Sequence, residues 1–152
     1  MAGAKRFEDL LMWQKSRALA NVIYQLTENS SFRDASLRNQ MRRAAVSVMS
    51  NIAEGFGRGT NEELLKFLFI AKGSLTELQS QLYLSLDLRY LSREQFQQTQ
   101  NLSAETARLI QAFASAMNRG LTRGFKHKRK VIPWAERAEK MMKEITGESA
   151  KP

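Results

Sequence analysis

The stretch that decides the fold is ASLRNQMRRAAVSVMSNIAEG, residues 35–55. At the helical spacing of about 100° per residue, six of its apolar side chains fall within an arc of about 100°, the usual width of a core stripe. This stripe comprises Leu37, Met41, Ala44, Ala45, Val48 and Ile52. Gly55 and Gly57 follow and supply a stop signal. The pattern therefore predicts an amphipathic helix over residues 35–54.

Three further helices are predicted, over residues 8–28, 60–89 and 92–118. The later two each begin at a capping box, Thr60 with Glu63 and Ser92 with Gln95. The predicted stripe of the third helix is Leu64, Leu68, Ala71, Leu75, Leu78, Leu82 and Leu86, and that of the fourth is Phe96, Leu102, Leu109, Phe113 and Met117. Long amphipathic helices with short connections predict an all-α, up-down-up-down four-helix bundle over residues 1–120.

Composition limits the function classes. The chain has 152 residues, no Cys and one His, which excludes thiolate chemistry and multi-His metal sites. His127 lies inside a basic run, and no pair of carboxylates has a spacing typical of acid–base catalysis. We therefore expect no enzyme activity, no metal, no cofactor and no small-molecule substrate. No apolar stretch is long enough to span a membrane, so a cytoplasmic location is expected.

The two middle helices carry more apolar surface than one core needs. On the helix predicted over residues 35–54, a second face adjoining the stripe is formed by Val46, Met49 and Ala53, with Arg42 among them. On the third predicted helix, Leu65, Phe69 and Tyr83 lie about 100° from the stripe, and Ile70 and Leu84 lie on yet another side. Soluble monomers rarely expose large apolar patches, so this surplus predicts a homo-oligomer with these apolar residues at the interface. The alternative is a monomer in which a fifth helix folds back over the extra face.

Basic residues are concentrated at the C-terminal end. The net charge is +9, and residues 121–152 hold 9 basic and 4 acidic residues. A run without acidic residues contains Arg119, Arg123, Lys126, Lys128, Arg129 and Lys130. Such runs bind phosphate backbones through counterion release, so they are the first candidate nucleic-acid contacts, with Arg38, Arg42 and Arg58 second.

The rest of the basic extension, residues 121–152, is predicted to contain a short amphipathic helix at about 133–145, opened by Pro133. An acidic protein or an anionic membrane surface is the alternative partner of this extension. The run GFGRG, residues 55–59, precedes a helix start but lacks the GK[ST] of a phosphate loop. It is interpreted as a glycine turn, with Arg58 as an anion contact in the alternative interpretation.

A family resemblance rests on three runs: QMRRAAVSVMSNIAEG at residues 40–55, FLFIAKGS at 67–74, and Glu77-Leu78. Over residues 5–118 the chain resembles the four helix bundle protein family, also called the 23S rRNA intervening-sequence proteins. The resemblance implies an up-down bundle that assembles as a homopentamer. A related branch comprises the accessory variability determinant proteins of diversity-generating retroelements, which bind a reverse transcriptase and template RNA.

These observations favour a non-catalytic, homo-oligomeric protein that binds nucleic acid, RNA in preference, through a multivalent basic surface. The family resemblance implies that this oligomer is a pentamer. Two alternatives stay open: an accessory protein of a diversity-generating retroelement, with a reverse transcriptase as partner, and a protein-interaction scaffold.

Overall fold

A computed structural model describes residues 4–124, and side chains up to Arg119. A 3-10 helix at Phe7–Asp9 leads into α1 (Leu11–Glu28), α2 (Ala35–Gly57), α3 (Asn61–Asp87) and α4 (Arg93–Gly124). Between residues 4 and 124 there is no β-strand, which confirms the predicted all-α class. The predicted helix at 133–145 lies outside the described residues.

The four helices form an up-down-up-down bundle. α2 packs against both α1 and α3. The Gln100 side chain of α4 donates a 3.1 Å hydrogen bond to the Gln79 carbonyl of α3. On its other side α4 meets α1, where Lys15 Nζ is 2.9 Å from a Glu105 carboxylate oxygen. Each helix therefore lies beside its sequence neighbours, and α4 closes the bundle against α1.

Capping side chains start three of the helices. Asp34 Oδ1 accepts a 2.9 Å hydrogen bond from the Leu37 amide at the start of α2. At α4 the capping box is complete, since Ser92 Oγ accepts from the Gln95 amide and Gln95 Oε1 accepts from the Ser92 amide. The prediction for α4 is thus confirmed in full.

The cap of α3 forms only in part. Thr60 Oγ1 accepts a 3.3 Å hydrogen bond from the Glu63 amide, as predicted. The Glu63 carboxylate instead accepts a 2.7 Å hydrogen bond from Lys66 Nζ, which lowers the pKa of Glu63. The helix start is confirmed, but the reciprocal bond of the box is replaced by an ion pair on the next turn.

The predicted stripe of α2 is the centre of the core. All six of its residues are buried, and Met41, Ala45, Val48 and Ile52 are fully so. The α3 stripe is likewise buried, except that Leu86 is half-buried. The periodicity of these two helices therefore located the core correctly.

The N-terminal helix begins later than predicted. Leu10 has an extended backbone, with φ −77° and ψ 118°, and separates the 3-10 helix from α1. Glu8 and Asp9 therefore lie outside the α-helix. Tyr24 falls at helical spacing with Ala20 and Ile23, which predicts a core position, but it is 43% exposed.

The predicted stripe of α4 is displaced from the true one. Phe96, Leu102, Leu109, Phe113 and Met117 are all half-buried. Among the described side chains of α4, five are buried, none of them is Leu, and three carry a hydroxyl: Thr99, Ser103, Thr106, Ile110 and Ala114. Thr99 and Thr106 donate to the carbonyls of Gln95 and Leu102 at 2.7 and 2.8 Å, so these two hydroxyls are satisfied within their own helix, whereas the buried Ser103 Oγ has no hydrogen-bond partner among the described residues.

Gly55 permits a close approach of α2 to α3. A Cβ at this position would lie 2.7 Å from Phe67 Cβ and 3.2 Å from Leu64 Cα. Real Cβ atoms do not approach this closely, so a larger residue would force the helices apart. The connection then turns at Gly59, whose φ is +77°.

We expect Gly55→Ala to lower the free energy of unfolding by about 1–3 kcal/mol, because overpacking displaces backbone as well as side chains. The matched control is Gly57→Ala, where the added methyl meets nothing within 4 Å. Urea denaturation of both variants would measure the difference. Equal stability of the two variants would contradict the packing role of Gly55.

Candidate functional site

The outward surface of α3 carries four large exposed apolar residues. Phe69, Ile70, Tyr83 and Leu84 are 48–61% exposed. Tyr83 contacts Phe96 of α4 edge-on, with ring centroids 5.0 Å apart. We call these four residues the α3 apolar face.

The other predicted interface residues differ in how deeply they are buried within the single chain. Leu65 is only 7% exposed, so its placement on an outer face was wrong. It belongs to the core, because it faces the interior beside Leu64 and Leu68. Met49 and Ala53 are half-buried, and Val46 is 38% exposed.

Arg42 joins α2 to α1. Its Nε donates a 2.8 Å hydrogen bond to Thr27 Oγ1, which is fully buried, and its guanidinium carbon lies 4.6 Å from the Tyr24 ring centroid. Arg42 is half-buried. Its guanidinium takes part in the packing of α2 against α1, so less of it is available for the predicted anion contact. Arg38, one turn earlier on α2, is also half-buried.

Arg58 is held at the end of α2. Its Nη2 is 2.7 Å from a Glu54 carboxylate oxygen, and its guanidinium carbon lies 5.5 Å from the Phe67 ring centroid. The hydrogen bond to Glu54 raises the pKa of Arg58 above its ordinary value. Gly55 and Gly57 lie inside α2, so only Gly59 acts in the turn.

The main basic run falls largely beyond the described side chains. Arg119 is exposed on α4, and Arg123 lies within the same helix. Lys126, Lys128, Arg129 and Lys130 lie outside the described residues, as does His127.

Two arginine–aromatic contacts bring in Trp13, Arg17 and Tyr24, for which the sequence predicted no site role. Arg17 lies over Trp13, with 5.9 Å between the guanidinium carbon and the ring centroid, and Arg42 lies over Tyr24. Trp13 and Arg17 are four residues apart, a spacing that brings side chains together on a helix. That spacing is visible in the sequence, but Trp13 and Tyr24 also fall at helical spacing with the apolar residues of the first helix, a pattern that indicates a core position.

An apolar cleft of about 740 Å³ opens at the end of the bundle where α2 meets α3. Its lining includes Leu10, Phe56, Leu64 and Phe113, with Lys5 among the polar residues. Among residues whose side chains are described, no three His, Cys, Asp or Glu residues are grouped as metal ligands would be. No helix within that part of the chain has the length and hydropathy of a membrane span.

The family model of the 23S rRNA-intervening sequence protein matches residues 8–112, and the chain belongs to this family. The resemblance seen in the sequence is thereby confirmed. The fold is similar to the crystal structure of a protein of unknown function from the S23 ribosomal protein family of Bacteroides thetaiotaomicron VPI-5482. The TM-score is 0.65 at 23% identity, covering 69% of this chain and 96% of that one. Among curated proteins, none matches the chain.

We expect Arg42→Gln to destabilise the fold by about 1–2 kcal/mol, because it leaves the buried Thr27 hydroxyl with one partner fewer and removes the contact with Tyr24. Arg38→Gln is the matched control and should change the free energy of unfolding by less than about 0.5 kcal/mol. Thermal or urea unfolding measures both. A control variant as unstable as Arg42→Gln would refute the packing role assigned to Arg42.

Proposed function

We propose that the protein is a non-catalytic, homo-oligomeric nucleic-acid-binding protein with a preference for RNA. The observation that carries the proposal is the run of six basic and no acidic residues between Arg119 and Lys130, in a chain of net charge +9. Phosphate backbones attract such a run whatever their base sequence. A family named for sequences within 23S rRNA supports RNA as the ligand. We also propose a cytoplasmic location.

Self-association would multiply this charge. The α3 apolar face leaves large side chains in water, and covering them with another copy would gain about 25 cal/mol per Å² of apolar area. Each added copy brings another basic run, and linked weak sites bind more tightly than separate ones. We propose a pentamer, the assembly that the family resemblance implies.

The RNA proposal is tested by replacing Lys126, Lys128, Arg129 and Lys130 with Gln. The variant should bind a labelled RNA more weakly, and the slope of log K against log salt should flatten, because fewer counterions are released. Fluorescence anisotropy between about 50 and 200 mM salt measures both quantities.

The matched control replaces four exposed cations of the bundle, Lys5, Arg33, Arg93 and Arg108, with Gln, which removes the same charge. This control should retain most of the affinity. An unchanged affinity and salt slope in the 126–130 variant would count against the basic run as the RNA contact.

The assembly proposal is tested with the double variant Phe69→Glu and Leu84→Glu. Wild type should sediment well above the 17.4 kDa of one chain, and the double variant should sediment as a monomer of unchanged helical content. Two charges placed in an apolar interface would remain without partners, which makes assembly costly. Ala112→Glu, at an exposed position of α4, is the control and should stay assembled. A monomeric wild type at micromolar concentration would refute the proposal.

The exposed α3 apolar face also suits a second function, a scaffold for another protein such as a reverse transcriptase. That function predicts co-purification of a specific protein that survives nuclease treatment and is lost in the Phe69→Glu, Leu84→Glu variant. Retention of the partner by a monomeric variant would place the partner elsewhere on the chain.

A further inference from the structure

Aromatic and cationic side chains share one stripe of α1. Trp13, Arg17 and Tyr24 occupy positions i, i+4 and i+11, which fall within about 40° of arc on a helix. At ~1.5 Å per residue, Trp13 and Tyr24 are about 16 Å apart along α1. Each ring has a guanidinium over it, that of Arg17 at 5.9 Å and that of Arg42 at 4.6 Å.

The adjacent edge of α2 adds further charge. Arg38 and Arg42 are four residues apart and share the side of α2 that faces Thr27 and Tyr24 of α1. Within the described residues, none of Arg17, Arg38 and Arg42 forms an ion pair with a carboxylate. By contrast, Lys15, Arg58 and Lys66 are each paired with a glutamate. Three uncompensated positive charges therefore lie beside two aromatic rings on this side of α1 and α2. We call this surface, made of Trp13, Arg17, Tyr24, Arg38 and Arg42, the α1–α2 face.

Helix packing accounts for only part of this arrangement. Arg42 ties α2 to α1 through Thr27, so its position serves the fold. The Arg17–Trp13 contact lies within a single helix, although the Trp13 ring also meets the Phe7 ring of the 3-10 helix edge-on, with centroids 5.0 Å apart. Tyr24 stays 43% exposed even though Arg42 lies over its ring. A large half-exposed ring next to unpaired guanidiniums is poorly suited to a core and well suited to a ligand.

The ligand that matches this chemistry is a single strand of nucleic acid. Proteins that bind single strands combine a cationic track for the phosphates with aromatic rings on which unpaired bases stack. An arginine beside the ring adds a cation–π contribution. A duplex keeps its bases stacked on one another and offers such a face only its phosphates.

We propose that the α1–α2 face, formed by Trp13, Arg17, Tyr24, Arg38 and Arg42, binds single-stranded nucleic acid, with unpaired bases stacked on Trp13 and Tyr24. This inference rests on the proposed nucleic-acid function and adds the class of strand and a second contact surface. The basic run at 119–130 supplies charge without selectivity, whereas the α1–α2 face selects strands whose bases are free.

The first test follows the fluorescence of Trp13. The chain has two tryptophans, so Trp134→Phe leaves Trp13 as the sole emitter. In this background a single-stranded RNA should quench the emission, because a base stacks on the indole. A duplex RNA of equal phosphate concentration should bind without comparable quenching.

The second test compares affinities of variants for single-stranded and duplex RNA. Tyr24→Leu should weaken single-strand binding about tenfold and change duplex binding by less than about twofold, because only stacking is lost. Tyr24→Phe retains the ring and should bind as wild type does. Arg17→Gln should weaken single-strand binding by more than its matched control Arg108→Gln, which removes another exposed charge, from α4.

The outcomes separate this inference from the proposed function. Suppose single strands and duplexes bind equally, Trp13 emission is unchanged, and only the 126–130 variant loses affinity. The proposed binding of single strands by the α1–α2 face is then refuted, and the proposed nucleic-acid function stands. If wild-type protein binds no nucleic acid at about 50 mM salt, both are refuted. Circular dichroism of Tyr24→Leu checks its fold, and the Trp13 measurement decides the question without that variant.

Discussion

The close approach of α2 to α3 is the constraint on which the rest of the bundle depends. At one end Gly55 admits Phe67, in the middle Ser47 and Ser74 share a 2.8 Å hydrogen bond, and towards the other end Ser85 Oγ lies 3.2 Å from Met41 Sδ. Small residues at successive levels bring the helix axes together. The large side chains of both helices are then directed into a common core, which α1 and α4 complete.

This packing also determines what is left outside. Because the small residues of α3 face α2 and its leucine stripe faces the core, Phe69, Ile70 and Leu84 are left exposed within the described part of the chain. The unpaired guanidiniums lie on different helices, along α1 and the edge of α2 next to it. The α3 apolar face and the α1–α2 face therefore have no residue in common.

The buried side of α4 shows that the spacing of apolar residues does not always identify the face of a helix that enters the core. Its inward residues include Thr99, Ser103 and Thr106, whereas the aromatic Phe96 and Phe113 are half-buried beside them. Threonine can be buried in a helix because its hydroxyl bonds to the carbonyl four residues earlier. A hydrophobicity pattern takes no account of that bond, and so the stripe was assigned to the wrong residues. Leu65 was misplaced for a related reason, since a wide core accepts a residue about 100° from the stripe centre.

The sequence by itself determined the helical class, the starts of α2, α3 and α4, the core stripes of α2 and α3, and the family. These follow from periodicity, capping residues and a specific motif, all of which are local along the chain. Only the tertiary structure decided which surplus residues stay exposed, and that Arg42 meets Thr27 and Tyr24 while Arg17 and Arg38 keep their charge unpaired. Those facts depend on which helices become neighbours and how closely they pack, and distance between helices is not encoded in the spacing of residues along any one of them.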